Sequence, residues 1–403
     1  MTEQVNVPKL RFEEFSENWQ AIELGELMTF KNGINASKEQ YGRGVKFINV
    51  MDIIENDYIT YDRIVGSVDV EDKEFEKNIV EYGDILFQRS SETREEVGQA
   101  NVYLDKKNVA TFGGFVIRGK KVGNFDSVCM NYLLKTNKAR KEVTTKSGGS
   151  TRYNVGQATL SAVNIDLPPC IPEQQKIASF LSKVDEKIAL LTEKKDKLAE
   201  YKKGVMQQLF NGKWQEQDGL LTFIPPTLRF KADDGSEFPD WEEKKLGDLA
   251  NSIKSGKSKA FDEGTIELWG STGKIGFTDK VSHNGHFILV ARVGANAGKL
   301  NEVQGQFGVS DNTLVIDVKP EHHLRFIKSS LLKFDLNRLI FGSGQPLITG
   351  GDLKAHKMVV PTFDEQTKIA NFLSAIDNKI DLTNSELEKA KEWKKGLLQQ
   401  MFV

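Results

Sequence analysis

The sequence predicts an α+β chain that restates itself: a strand-rich region runs into one long helix, and a second strand-rich region runs into another. Three observations predict this. EQQKIASFLSKVDEKI at 173 to 188 returns as EQTKIANFLSAIDNKI at 365 to 380, with 11 of 16 positions identical at an offset of 192. At the same offset KKGVMQQLF (202 to 210) returns as KKGLLQQMF (394 to 402), so the two segments match without a gap. Ahead of each segment, short runs rich in β-branched and aromatic residues alternate with Gly and polar residues, which is the pattern of strands and turns.

The helices come first because their periodicity is strongest. In the first, Ile177, Leu181, Val184, Ile188, Leu191, Leu198, Val205 and Leu209 fall on alternating steps of four and three, interrupted by Lys195 and Lys202. In the second, Ile369, Leu373, Ile376, Ile380, Leu387, Ala390, Leu397 and Met401 do the same. Such spacing makes a coiled-coil seam. Pro172 suits a first helical turn, the aligned Asp364 suits an N-cap, and Asn211-Gly212 supplies a stop. At 1.5 Å per residue each helix should span roughly 57 Å, more than a compact domain usually covers.

The strand-rich regions share their ends and differ in their middles. PKLRF (8 to 12) answers PTLRF (226 to 230), and Trp19 with Leu24-Gly25 answers Trp241 with Leu246-Gly247. GSTRYNVGQATLSAVNIDLP (149 to 168) answers GSGQPLITGGDLKAHKMVVP (342 to 361). Between them, residues 26 to 148 and 248 to 341 align little beyond ILFQR (85 to 89) against ILVAR (288 to 292). VKFINVMDI (45 to 53), GDILFQR (83 to 89), FGGFVIR (112 to 118), HFILVARVG (286 to 294) and NTLVIDV (312 to 318) read as strands. The expected boundaries are 1–171 for the first domain, 172–212 for the first helix, 213–240 for a linker and the start of the second repeat, 241–363 for the second domain and 364–403 for the second helix.

Composition narrows the class. With 403 residues, 39% hydrophobic and 28% charged, the chain is long enough for two or three cores. It has no run of 18 apolar residues and no basic-then-apolar start, so no membrane partner and a cytoplasmic location are expected. Cys129 and Cys170 are too few for a disulfide framework and are expected to be buried. A formal net charge of −2 advertises no nucleic acid binding, so any DNA contact must come from local basic clusters.

Catalytic motifs are incomplete. All five histidines lie in the second half, and His283 with His286 has no Cys or acidic partner at metal-ligand spacing. Gly294 to Lys299 is one residue short of a phosphate loop, and Ser255-Gly256-Lys257-Ser258 follows Asn251 where a Gly belongs. Asp166-Leu-Pro-Pro-Cys170 departs from an adenine methyltransferase motif, and Pro239-Asp240 with Glu242 and Lys244 is too tightly spaced for a nuclease. No catalytic residue, metal or cofactor is therefore assigned to this chain.

What remains suits DNA. Arg89 and Arg292 close the two matching strands and enter polar loops, where a guanidinium could reach a guanine edge. Arg94, Arg152, Tyr153 and Gln157 join them in the first half, and Asn296, Lys299 and Gln345 in the second. Lys254, Lys257 and Lys259, with Ser271, Thr272 and Lys274 after Trp269, offer donors to phosphates.

PKLRF with Trp19 and LGEL, the repeated EQxKIAxFLSxxDxKI and the closing KKGxxQQxF together resemble the specificity subunit of type I restriction-modification systems along nearly the whole chain. The resemblance implies two target-recognition domains, related by a pseudo-twofold axis, on two long helices paired as an antiparallel coiled coil. It also implies that each domain binds one part of a split double-stranded DNA target and that the helices dock two methyltransferase subunits. S-adenosylmethionine, and ATP with magnesium, would then belong to methyltransferase and restriction (motor and nuclease) subunits. The alternative is a coiled-coil scaffold or adaptor without a DNA role.

Overall fold

The computed structural model describes residues 7–217, 220–340 and 346–402. It divides into two compact units, Met1–Leu191 with Glu386–Val403, and Thr192–Ser385. Each long helix, Ile171–Leu209 and Phe363–Met401, therefore contributes one end to each unit. The start of one helix lies with the end of the other in both units, so the pair is antiparallel.

In the first unit, Met28–Asn32, Val116–Lys121, Ile85–Gln88 and Ala100–Val102 form a four-stranded antiparallel sheet in that order. Tyr41–Ile48 pairs with Ser67–Val68 on one side and runs parallel to Thr111–Phe112 on the other. Helices Ser127–Leu134 and Asn137–Lys146 complete the layer. One core joins Trp19, Phe87, Phe125 and Leu133 to Leu181 of the first long helix and Leu397, Met401 and Phe402 of the second. In the second unit a six-stranded sheet runs Ala250–Ser255, Thr313–Val318, His283–Ala291, Leu300–Val309, Ile266–Gly270, Gly273–Thr278. Its core joins Trp241, Ile288, Phe326 and Ile348 to Leu209, Ile369 and Leu373.

The repeat is a repeat of interactions as well as letters. Gln20–Glu23 pairs with Asn164–Leu167, and Glu242–Lys245 pairs with Lys357–Val360 in the same register. At the start of each long helix a carboxylate is fully buried: Glu173 takes bonds from Arg11 Nε (2.7 Å), Arg11 Nη2 (2.9 Å) and Trp19 Nε1 (3.2 Å). Glu365 takes the same set from Arg229 Nε (3.0 Å), Arg229 Nη2 (2.7 Å) and Trp241 Nε1 (3.2 Å). One residue on, Gln174 and Gln366 accept from the backbone amides of Asp126 (2.7 Å) and His323 (2.9 Å), the residues that precede the domain helices Ser127–Leu134 and Leu324–Phe334. Phe12 meets Phe180 edge-on, as Phe230 meets Phe372.

Along the helices, burial follows the four-three spacing from Ile177 to Leu209 and from Ile369 to Met401. Two of the lysines on the seam find acids. Lys202 pairs with Asp377 in the second unit at 2.5 Å, and Lys394 with Asp185 in the first at 2.6 Å. Thr383, 2% exposed, occupies the seam position aligned with Leu191, where its hydroxyl bonds the Lys379 carbonyl at 2.8 Å.

Five local expectations need correction. The run expected as strand over 112 to 118 is broken between strands Thr111–Phe112 and Val116–Lys121, because the Val116 amide donates to the Gly113 carbonyl at 2.8 Å and closes a tight turn there. The run expected as strand over 45 to 53 is strand only to Ile48 and then turns into helix Val50–Ile54, because the Asp52 carboxylate accepts from the Asn49 amide at 2.7 Å and starts the turn. The stretch expected as linker carries a hairpin, Lys213–Gln217 with Leu220–Ile224, whose Phe223 lies between Trp214 and Trp241. Asp364 sits inside the second helix, which begins at Phe363, and does not cap it. Of the cysteines, Cys129 is buried but Cys170 is half-exposed.

Removing one partner of a buried, hydrogen-bonded ion pair strands the other charge, at about 3–5 kcal/mol. Glu173→Ala should therefore lower unfolding free energy by about that amount in a urea titration. Glu193→Ala, which removes a solvated helix-surface pair with Lys197, should leave it nearly unchanged. Equal shifts for the two would refute the role given to Glu173.

Candidate nucleic-acid interface

The two middles, which barely align as sequence, build the same local frame around their arginines. Arg89 follows strand Ile85–Gln88, and Arg292 follows strand His283–Ala291. The Arg89 amide donates to the Phe115 carbonyl at 2.9 Å, and the Arg292 amide donates to the Asn312 carbonyl at 3.0 Å. Their own carbonyls accept from Val155 (3.0 Å) and Ile348 (2.9 Å). Phe115 and Asn312 each close a tight turn, with Val116 donating to Gly113 (2.8 Å) and Thr313 to Ser310 (3.2 Å). Gly113 is anchored on Ile48 O (3.0 Å) and Ser310 on Trp269 O (2.9 Å).

Two glycines let the chain cross beside these turns. The amides of Gly33 and Gly256 donate to Val116 O (3.2 Å) and Thr313 O (3.0 Å). A Cβ on Gly33 would lie 2.2 Å from Gly113 O, and one on Gly256 would lie 2.2 Å from Val309 O, so no side chain fits at either position. The loops after the arginines also close alike, Gly98 donating to Gln88 O (3.0 Å) and Gly298 to Ala291 O (2.9 Å). Both glycines have positive φ, 68° and 86°.

Around the first turn the structure gathers Arg89, Arg152 and Tyr153. Arg89 Nη1 holds the Gly114 carbonyl at 3.1 Å, the Arg152 guanidinium lies 5.7 Å from the Phe115 ring centre, and Tyr153 pairs across from Ser91. Arg94 stands apart, its guanidinium on the carbonyls of Thr144 (3.1 Å) and Thr145 (3.3 Å) at the end of helix Asn137–Lys146. Gln157 is exposed at the start of helix Gln157–Ser161.

Around the second turn lie Arg292, Lys257 and Lys259. The lysines flank Ser258, whose amide donates to Val309 O at 2.8 Å, and both are exposed. Lys254 is exposed two residues before Gly256. Arg292 Nε is buried with no hydrogen-bond partner among the described residues. Ser271 and Thr272 form the turn of the hairpin Ile266–Gly270 with Gly273–Thr278, and Lys274 folds back on Glu267 at 2.8 Å and over the Phe277 ring. Asn296 ends the helical turn Gly294–Asn296, and Lys299 is exposed beyond it. Gln345 lies outside the described residues. Sequence reasoning passed over Phe115, 62% exposed, and the exposed Asn312. The only trace of their equivalence is Lys31-Asn32-Gly33 against Lys254-Ser255-Gly256.

The histidines are engaged with protein groups. His283 stacks on Phe307 and bonds Ser282 Oγ at 2.8 Å. His286 Nε2 meets Glu302 Oε1 at 2.9 Å, and the same carboxylate takes Arg325 Nε (2.8 Å) and Lys328 Nζ (3.0 Å). Among the described residues no three His, Cys, Asp or Glu side chains gather as a metal site would, and no helix is long and apolar enough to cross a membrane.

Residues 16–200 and 239–392 match the family model for the type I restriction modification DNA specificity domain, and the chain belongs to that family of DNA-sequence-recognising specificity subunits. It is similar along nearly its whole length to two Methanocaldococcus jannaschii chains designated type I restriction enzyme specificity subunits. The MjaX chain is 24% identical over 428 residues, 99% of this chain and 96% of that one, and the MjaVIII chain 23% identical over 422 residues, 96% and 92%. The solved S subunit of the M. genitalium type I system shares the fold with a TM-score of 0.62 at 17% identity, over 98% of this chain and 99% of that one. A chain from a structure of type I system assembly and conformational transition gives 0.56 at 14% identity, over 95% and 97%.

The Glu302 cluster makes a pH prediction. Burial pushes this carboxyl up, but bonds from Arg325, Lys328 and His286 pull it further down, to about 2 from its ordinary 4.5. A carboxylate held below its unfolded value stabilises the fold fully above pH 4.5, and the contribution fades as pH falls toward about 2. Unfolding midpoints measured between pH 2 and 6 should fall more steeply with acid for the natural protein than for Glu302→Gln. Parallel curves would contradict the assignment.

Proposed function

We propose that this chain reads a split double-stranded DNA target, one part with each unit, and that its paired helices carry two methyltransferase subunits and, in a restriction complex, motor and nuclease subunits. The observation that carries the reading is the same arginine-and-turn frame built twice on diverging sequences. A frame conserved while its side chains vary is what two readers of different bases require, since bases are distinguished by the donors, acceptors and methyl groups on their edges. Two related domains on one chain suit a target in two parts, as the two half-sites of a dimeric DNA-binding protein do. Methyl transfer with S-adenosylmethionine, and ATP-driven cleavage with magnesium, would lie with the partners, this chain contributing position and choice of sequence. Its near-zero net charge suits a subunit whose phosphate contacts are local and shared with an assembly.

Two experiments test this. Replacing residues 26 to 148 by the middle of a related subunit, and co-expressing the chain with its methyltransferase partner, should change one part of the methylated target and leave the other intact. A genome-wide methylation map with both parts altered would contradict one-domain, one-part reading. In the second unit, Arg292→Ala should weaken specific binding by about 1–3 kcal/mol if its guanidinium meets a base edge. A loss equal over all DNA sequences would make it a phosphate contact instead.

A further inference from the structure

Taking the DNA reading above as its basis, we infer that the two equivalent turns, Gly114-Phe115 and Asp311-Asn312, are the reading tips of the two units. Phe115 meets the methyl group of a thymine, and Asn312 takes an adenine through its amide. The six matched pairs of backbone bonds described above fix the two turns in the same setting, down to the arginine whose amide each tip residue accepts. Within that setting the side chains at the tip differ completely.

Phe115 has no packing reason to stand where it does. It is 62% exposed, while its neighbours Phe112 and Val116 are fully buried. Its backbone is nonetheless tightly held: a Cβ on Gly114 would meet Asn35 Oδ1 at 1.9 Å, Arg89 Nη1 grips the Gly114 carbonyl at 3.1 Å, and the Arg89 amide holds the Phe115 carbonyl at 2.9 Å. A phenyl ring fixed outside a core, with the Arg152 guanidinium beside it at 5.7 Å, offers apolar contact next to a positive charge. In the major groove that combination matches a thymine C5-methyl beside the phosphate backbone. Asn312 is exposed at the same place in the second frame, with the Lys257 and Lys259 ammoniums on the neighbouring segment. An amide presents one donor and one acceptor together, the pattern that pairs bidentately with adenine N7 and N6. The chemical difference between the tips is thus one source of unequal halves in the target.

The test uses the chain assembled with its methyltransferase partner and DNA carrying the mapped target. Phe115→Ala should relax one A·T position in one half by about tenfold and leave the other half unchanged. Replacing that thymine by deoxyuridine, which lacks only the methyl, should weaken the natural protein by a similar factor and leave Phe115→Ala unaffected. Asn312→Ala should relax one A·T position in the other half by about tenfold, and 7-deazaadenine there should reproduce the loss only when Asn312 is present. Thermal melting of each variant within a degree or two of the natural chain separates reading from folding, and Phe115→Leu, which keeps an apolar tip, covers the case in which Phe115→Ala fails to fold. Sequence-specific binding that survives in both variants with unaltered preferences would overturn this inference alone. Loss that is uniform over sequences, or insensitivity to deoxyuridine and 7-deazaadenine, would also overturn it. Absence of specific binding by the natural assembly would overturn the DNA reading itself.

Discussion

Each repeat depends on a carboxylate that water does not reach. Glu173 and Glu365 are fully buried in the first turn of a long helix, where the helix dipole favours negative charge, and an arginine and a tryptophan from far upstream converge on each. A buried charge left without partners is costly, so the segment that carries the arginine and tryptophan is held against the helix start. The next residue, Gln174 or Gln366, extends the tie into the domain by holding the backbone at Asp126 or His323. Two adjacent side chains thus fasten each strand-rich domain to its helix, which explains why EQ opens both repeated segments.

The fold class was legible because helices of 39 residues impose a strict spacing, and because both were copied from one ancestor pattern. What the periodicity could not show is how seam lysines are accommodated. Lys202 and Lys394 are answered by Asp377 and Asp185 from the other helix, a pairing that depends on antiparallel contact and not on any local signal. Thr383 escaped for a related reason: a hydroxyl that bonds its own helix backbone is buried at little cost, yet it reads as polar. Helix Val50–Ile54 looked like strand because three of its five residues are β-branched and apolar, and the Asp52 carboxylate, three positions after Asn49, decided otherwise.

The candidate site was less legible still. Arginines after matched strands stood out because ILFQR and ILVAR preserve the letters, but the turns beside them preserve only backbone bonds, which many sequences can make. Backbone geometry shows through a sequence only where it forbids side chains, and Gly33 and Gly256 are such positions. Arg94 illustrates the converse: its position in a polar loop resembled a reader, while its guanidinium is already committed to the end of a helix.

The division of the helices between units has a consequence for how the chain is made. Leu397, Met401 and Phe402 belong to the same core as Trp19 and Leu181, so the first domain lacks part of its interior until about 200 further residues have been synthesised. At ordinary elongation rates of about 5–20 residues per second this is a delay of tens of seconds. During it, the core around Trp19 and Leu181 lacks those three side chains, while the second domain, whose own share of both helices ends at Ser385, receives its last residues first. The order in which the two units receive their last residues thus runs opposite to the order of their first, and a chain broken off before Glu386 would damage the domain at its beginning more than the one at its end.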